Sequence, residues 1–310
     1  MKIVVFGNKD STQRLCDYLA KSPYPVSTLV TLSEKQKTKI DISGVSNELI
    51  ECAHKNNIDV YNPSSYKILD AQDKDWFEKQ SFDIGLCVGW QRVIPSNILR
   101  SIKNGVFGWH GSGFEFPNGR GRSPINWTIR LGINKVFHNC FRYDTGVDDG
   151  EIFDTKLIKI KEKDYISDVL ESAFLHIESS SLALLKCLET NSLRLVQQPK
   201  HAFITLPKLT ENDGQIQPLV MSCGTAINIV RSCSRPFPGA YLKLFSGEKL
   251  RIWRMREIKD KISSFNDLKI GELVRVNDVV KLKFKDGMCE ITEFDYTKDH
   301  LMEEVVTSSN

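Results

Sequence analysis

Lys2-Ile3-Val4-Val5-Phe6-Gly7-Asn8-Lys9-Asp10-Ser11 is the stretch that decides the fold class. Ile3 to Phe6 is a short apolar run without alternation, as expected of a strand covered on both faces in a parallel sheet. Gly7-Asn8 ends it. Asp10-Ser11 offers a helix N-cap, and Leu15, Tyr18 and Leu19 recur at helical spacing. Strand, turn and helix in that order open an α/β doubly wound sheet. The turn is not GxGxxG, so the dinucleotide fingerprint is missing.

The alternation continues outward. Residues 26–30 read as a strand, 43–57 as a helix with Val45, Leu49, Ile50 and Ala53 on one face, and 59–61 as a short strand. Residues 83–88 give the strongest buried-strand signal, and their end at Gly89-Trp90 is where open α/β sheets place ligand clefts. Residues 122–131 and 166–188 read as helices. Residues 201–218 hold Pro207, Pro218 and Asn212-Asp213-Gly214 without periodicity, which reads as a linker. Beyond one helical segment at 223–230, five short strands (240–245, 250–255, 273–276, 279–284 and 288–291) predict a small closed barrel. The domains expected are 1–204 and 219–310, joined by 205–218.

Composition agrees with two packed domains. The chain has 310 residues, 41% of them apolar, too many for one compact core. Its net charge, 42 − 39 = +3, gives no footprint for nucleic acid or an anionic membrane. No apolar run reaches the roughly 18–20 residues that span a bilayer, and the start is too soon broken for a signal peptide. Eight cysteines lie mostly in apolar surroundings and none pair as CxxC. They predict reduced thiols, a cytoplasmic setting and no structural metal.

Two stretches carry chemistry. In Gly108-Trp109-His110-Gly111-Ser112-Gly113-Phe114-Glu115-Phe116-Pro117-Asn118-Gly119-Arg120-Gly121-Arg122-Ser123-Pro124 an apolar strand delivers a lone histidine into a glycine-rich loop. In Tyr143-Asp144-Thr145-Gly146-Val147-Asp148-Asp149-Gly150 three carboxylates share a glycine-punctuated turn. The pattern alone leaves His110 open between a catalytic and a structural histidine.

These segments resemble the formyltransferases that use 10-formyltetrahydrofolate. His110-Gly111-Ser112, then Pro117, Arg120-Gly121 and Pro124, are similar to that family's first motif. Asp144 to Gly150 is similar to its second. Gly89 to Pro95 resembles the segment beside the folate pocket. Leu206 to Thr210, Asp213 to Ile216 and Pro236 to Ala240 resemble the interdomain joint and the opening of the C-terminal barrel. The resemblance implies a Rossmann-like formyltransferase domain, a small OB-like β-barrel domain, and 10-formyltetrahydrofolate as cofactor.

It also implies roles. His110 moves protons while an amine attacks the formyl carbon, and Asp148 orients the ring. Trp90, Gln91, Arg92, Val93, Tyr143, Asp144 and Gly146 border the folate. Ser112, Arg120 and Arg122 face the acceptor. One departure stands out: the family's Asn two residues before the histidine is Gly108 here, which has no side-chain donor for an oxyanion. Asn139, His110 itself or a backbone N–H of residues 111–113 could take its place. Residues 215–310 carry 15 Lys plus Arg against 13 Asp plus Glu, a net of only +2. A tRNA-holding domain should be more basic. The expected acceptor is therefore an amino sugar or nucleotide-linked amino sugar, with methionyl-tRNA formyltransferase or a non-catalytic folate-binding homologue as alternatives. Analogy with the sugar enzymes implies a homodimer, with neither membrane nor nucleic acid as partner.

Overall fold

The computed structural model describes residues 1–38, 46–259, 268–276 and 279–295. In chain order the elements are β1 (Ile3–Phe6), α1 (Asp10–Ala20), β2 (Thr28–Val30), α2 (Glu34–Lys37), α3 (Leu49–Lys55), β3 (Asp59–Tyr61), α4 (Ala71–Gln80), β4 (Ile84–Cys87), α5 (Ser96–Ser101) and β5 (Val106–Ser112). Then come β6 (Arg120–Gly121), α6 (Pro124–Arg130), β7 (Lys135–Arg142), β8 (Ile152–Lys159), α7 (Ile166–Glu189), β9 (Thr205–Leu206) and α8 (Cys223–Cys233). β10 (Ala240–Lys243), β11 (Lys249–Glu257), β12 (Leu273–Val276), β13 (Val279–Lys283) and β14 (Met288–Asp295) follow. The chain divides into two compact units: residues 1–121, 137–158 and 171–205, and residues 122–136, 159–170 and 206–310.

The first unit is built on a seven-stranded sheet ordered β3-β2-β1-β4-β5-β7-β8. β3, β2, β1, β4 and β5 pair in parallel, and β7 runs antiparallel to β5. β1 is buried throughout because both faces are covered. Ile3 and Val5 enter one core with Leu15, Leu19, Leu86, Phe107 and Phe174. Val4 and Phe6 enter the other with Phe77, Phe82, Trp90 and Ile98. Each fully buried Phe or Leu contributes roughly 1.5–3 kcal/mol. Strand order reverses between β1 and β4, whose carboxyl ends carry Gly7-Asn8 and Gly89-Trp90.

The second unit packs α8 on an antiparallel sheet ordered β10-β11-β14-β13-β12. The expected closed barrel is not what the pairing shows: among the described residues β10 and β12 are the two ends of this sheet. A bulge in β11 between Ile252 and Met255 bends it.

Other boundaries also differ. α1 begins at Asp10 with Lys9 before it, so Asp10 stands in the first turn, where a carboxylate meets the positive helix end. α3 begins only at Leu49; Ser43, where the helix was expected to start, lies outside the described residues. All eight cysteines are free thiols. Among the described residues no helix is long and apolar enough to cross a membrane, and no cluster of His, Cys, Asp and Glu could hold a metal ion.

Candidate active site

The antiparallel register of β5 and β7 sets the site. Gly108 faces Phe141, His110 faces Asn139 and Ser112 faces Phe137. Directly opposed residues share a face and neighbours in sequence alternate. His110, Gly108, Ser112, Asn139 and Phe141 therefore lie on one face, and Trp109, Gly111, His138 and Cys140 on the other.

His110 is 8% exposed. Its Nε2 is 2.7 Å from the carbonyl oxygen of Gly119, and its Nδ1 is 3.4 Å from Asp148 Oδ2. Phe116 stacks on the ring at 5.4 Å. A carbonyl only accepts, so Nε2 carries a hydrogen. The doubly protonated ring donates to both neighbours; the neutral ring donates only to Gly119 and turns a lone pair toward the carboxylate. Asp148 has φ +54°, in the left-handed region that costs most L-residues roughly 1–2 kcal/mol. Three hydrogen bonds hold it there. Gly121 N–H donates to Oδ2 at 3.3 Å, and Gln198 Nε2 donates to the carbonyls of Asp148 at 2.9 Å and Gly150 at 2.7 Å. Gly150 has to be glycine, because a Cβ would stand 1.5 Å from the Arg142 carbonyl oxygen.

Around this pair the candidate residues divide. Trp90 is buried, edge-on to Phe6 and Tyr66, and its Nε1 has no partner among the described residues. Gln91, Arg92 and Val93 are exposed beside it, with Arg92 lying over the Tyr66 ring at 4.8 Å. Asp144 and Gly146 are exposed, and Asp144 caps the Thr145 N–H. A hollow of about 460 Å³ runs past Tyr143, Asp144, Thr145 and Asp149, but its wall also includes Lys103, Asn104 and Gly105 at the amino end of β5, and neither His110 nor Trp90 lines it. A larger one, about 670 Å³, lies beside Met1, Asp83 and Glu189 at the amino ends of β1 and β4, away from the strand ends where ligands dock. Ser112 is buried with its hydroxyl closed onto the backbone of Phe114, so it shapes the loop. Arg120 is buried too: its Nη2 donates to Gln198 at 2.5 Å, its guanidinium lies over Phe203, and its Nε has no partner among the described residues. Burial lowers its pKa against the opposing pull of Asp149 and Asp148. Arg122 is exposed and belongs to the second unit.

The formyl transferase family profile matches residues 1–185. That is more than half of the chain. The chain belongs to the formyl transferase family.

Relatives extend the match. The chain is 26% identical over 317 residues to methionyl-tRNA formyltransferase of Acetivibrio thermocellus, covering 99% of this formyl transferase and 96% of that protein. It is 26% identical over 306 residues to the bifunctional polymyxin resistance protein ArnA of Wigglesworthia glossinidia brevipalpis, covering 97% of this chain but only 44% of ArnA. Among solved structures, HypX from Aquifex aeolicus shares the fold at TM-score 0.67 and 16% identity, over 95% of this chain and 44% of HypX. So does an N-formyltransferase from Helicobacter canadensis, solved with folinic acid and dTDP-3-aminofucose, at TM-score 0.65 and 14% identity over 95% and 100%.

Gly108 of this formyl transferase has a local cause. A Cβ there would stand 2.3 Å from Tyr143 Cε1 and 2.4 Å from its hydroxyl. The Tyr143 ring, next to Phe141, fills the space that a side chain at 108 would need. Burial, then the neighbouring Cys87 and Asp148, push the Tyr143 phenol well above its ordinary range, so it stays protonated. Asn139 was expected to supply the missing donor. It is buried opposite His110, but its Oδ1 accepts from Thr155 at 2.7 Å and its Nδ2 donates to the carbonyls of Phe137 and His110 at 3.2 and 3.5 Å. In that rotamer its amide serves the sheet. Gln198, Tyr66 and Phe116 are site residues that sequence reasoning missed. Only Phe116 lies in a stretch it had marked.

Proposed function

We propose that this chain transfers the formyl group of 10-formyltetrahydrofolate to the amine of a small acceptor, an amino sugar or nucleotide-linked amino sugar. The carrying observation is His110, held between the Gly119 carbonyl and Asp148 near the carboxyl end of β5, which runs parallel to β4 and β1. The residues around the switch between β1 and β4 suit a flat heterocycle: a buried Trp90 with an unpartnered Nε1, an exposed loop at 91–93, and Arg92 available to an anionic tail. The folate supplies the activated formyl carbon. With Nε2 released from the Gly119 carbonyl, the neutral ring carries its hydrogen on Nδ1 toward Asp148, and Nε2 accepts the proton that the attacking amine sheds and gives a proton to the departing nitrogen. Asp148 holds the ring and stabilises its charged form between these steps.

Positioned acid–base help of this kind is worth roughly 10²–10⁴-fold. His110→Ala should reduce formyl transfer by that factor while 10-formyltetrahydrofolate still binds. Turnover within about threefold of wild type would remove His110 from the mechanism. Acceptor choice is read by offering dTDP-3-aminofucose and charged initiator tRNA side by side. The small +2 balance over residues 215–310 supports the sugar. The match across 96% of a methionyl-tRNA formyltransferase supports the tRNA as the second reading. Folate binding without turnover on any amine would point to a non-catalytic homologue.

A further inference from the structure

Both hydrogens and the oxygen of the Gln198 amide are engaged. Nε2 donates its two hydrogens to the carbonyls of Asp148 and Gly150, and Oε1 accepts from Arg120 Nη2. Two carbonyls on one side and a guanidinium on the other fix which way round the amide lies. Gln198 is buried, and Arg120 is packed against Phe203, its guanidinium carbon 4.5 Å from the ring centroid. Both carbonyls belong to the turn that carries Asp148 in its left-handed conformation, which a non-glycine residue keeps only where its surroundings hold it. The remaining hold, Gly121 N–H on Oδ2, is the longest of the three.

We propose that Gln198 is a positioning residue: braced by Arg120, it holds the 148–150 turn so that the Asp148 carboxylate stays at Nδ1 of His110. This rests on the reading of His110 and Asp148 as the proton-handling pair. It also makes Arg120 an internal anchor of the site, acting through Gln198. Without the brace the turn relaxes and the carboxylate leaves the ring, and a displacement of about 1 Å at a reacting group can cost on the order of 10²-fold.

Gln198→Met keeps the volume and removes the donors and the acceptor. Wild type, Gln198→Met, Asp148→Asn and the double variant are compared in formyl transfer to dTDP-3-aminofucose and in the nitrogen-15 NMR signal of His110 Nδ1, which needs no acceptor. Gln198→Met should lower kcat by about 10- to 100-fold with the folate KM little changed. It should move the Nδ1 signal in the same direction as Asp148→Asn, and add less than about threefold on top of Asp148→Asn. An Nδ1 signal at its wild-type position in Gln198→Met, or a full second loss in the double variant, overturns the proposal. If dTDP-3-aminofucose is not accepted, the Nδ1 signal decides. If Asp148→Asn leaves both readouts at wild type, the His110–Asp148 pair itself falls, and the positioning role with it. Gln198→Glu retains the acceptor toward Arg120 while placing an oxygen against the two carbonyls. It should reproduce the loss, with thermal unfolding confirming that the variant is folded.

Discussion

Two histidine–aspartate arrangements lie back to back across β5 and β7. On one face His110 meets Asp148. On the other His138 Nδ1 lies 2.8 Å from His176 Nδ1, and His176 Nε2 lies 2.9 Å from Asp154 Oδ2. A carboxylate only accepts, so His176 carries its hydrogen on Nε2 and His138 donates to it. The second set has the shorter His–Asp contact, yet α7, which carries His176, closes over it, with Trp109 bonded to Ser180 and Ser180 to the His176 carbonyl. Burial, aided by His176, His110 and Lys156, pushes His138 down to about 3, so it stays neutral at ordinary pH. His110 sits instead among loops, with an acceptor at each ring nitrogen. A short His–Asp contact does not make a catalytic pair. A ring with an acceptor at each nitrogen, near the carboxyl end of its strand and bordered by loops, is the better sign.

The contrast is broken or sharpened most strongly by exchanging the two carboxylates in turn. Asp148→Asn should lower formyl transfer on the order of 10²-fold or more, whereas Asp154→Asn should leave it within about threefold. Equal losses would erase the distinction. A smaller effect is expected at Gly108. Gly108→Asn drives a side chain into Tyr143 and should cost about 1–3 kcal/mol in unfolding free energy and roughly tenfold in rate. Adding Tyr143→Leu should recover stability, and failure of the second change to help would mean that the ring is not the obstacle. The last contrast is acid sensitivity, which touches stability and leaves the rate at ordinary pH alone. Unfolded, His138 titrates near 6.5; folded, near 3. Between those values the unfolded chain binds more protons, so stability should fall as pH drops through that window, by at most about 1.4 kcal/mol per pH unit. His138→Gln should flatten the decline in chemical denaturation, and an unchanged slope would assign it to other groups.

Much of this was legible in the sequence, for identifiable reasons. β1 and β4 are unbroken apolar runs because both faces are covered, and such runs need no partner to be recognised. His110 and Asp148 stand in glycine-punctuated stretches whose pattern alone left His110 open, and it was the family resemblance that gave the two residues their expected roles. What could not be read depends on distant chain. Gln198 meets Asp148 across a separation of 50 residues, from a segment with no periodicity. The packing of Tyr143 over Gly108 depends on how β5 and β7 pair, and the spacing alone gave no sign of it. The late start of α3 reflects residues 46–48, which are not helical despite the apolar spacing through Val45 and Leu49. In the second unit, strand existence followed from alternation, but whether a sheet closes on itself is not a property of any one strand.

The empty Cα at position 108 has one more consequence, for how sequences of this kind drift. Volume given up by one strand is filled by a ring from the next, so the two sites are free to change only as a pair. A side chain at 108 needs the ring at 143 to move aside or to be replaced by a smaller residue. Descendants should keep either glycine with a large ring or a side chain with a small neighbour, and hybrids of the two should be rare.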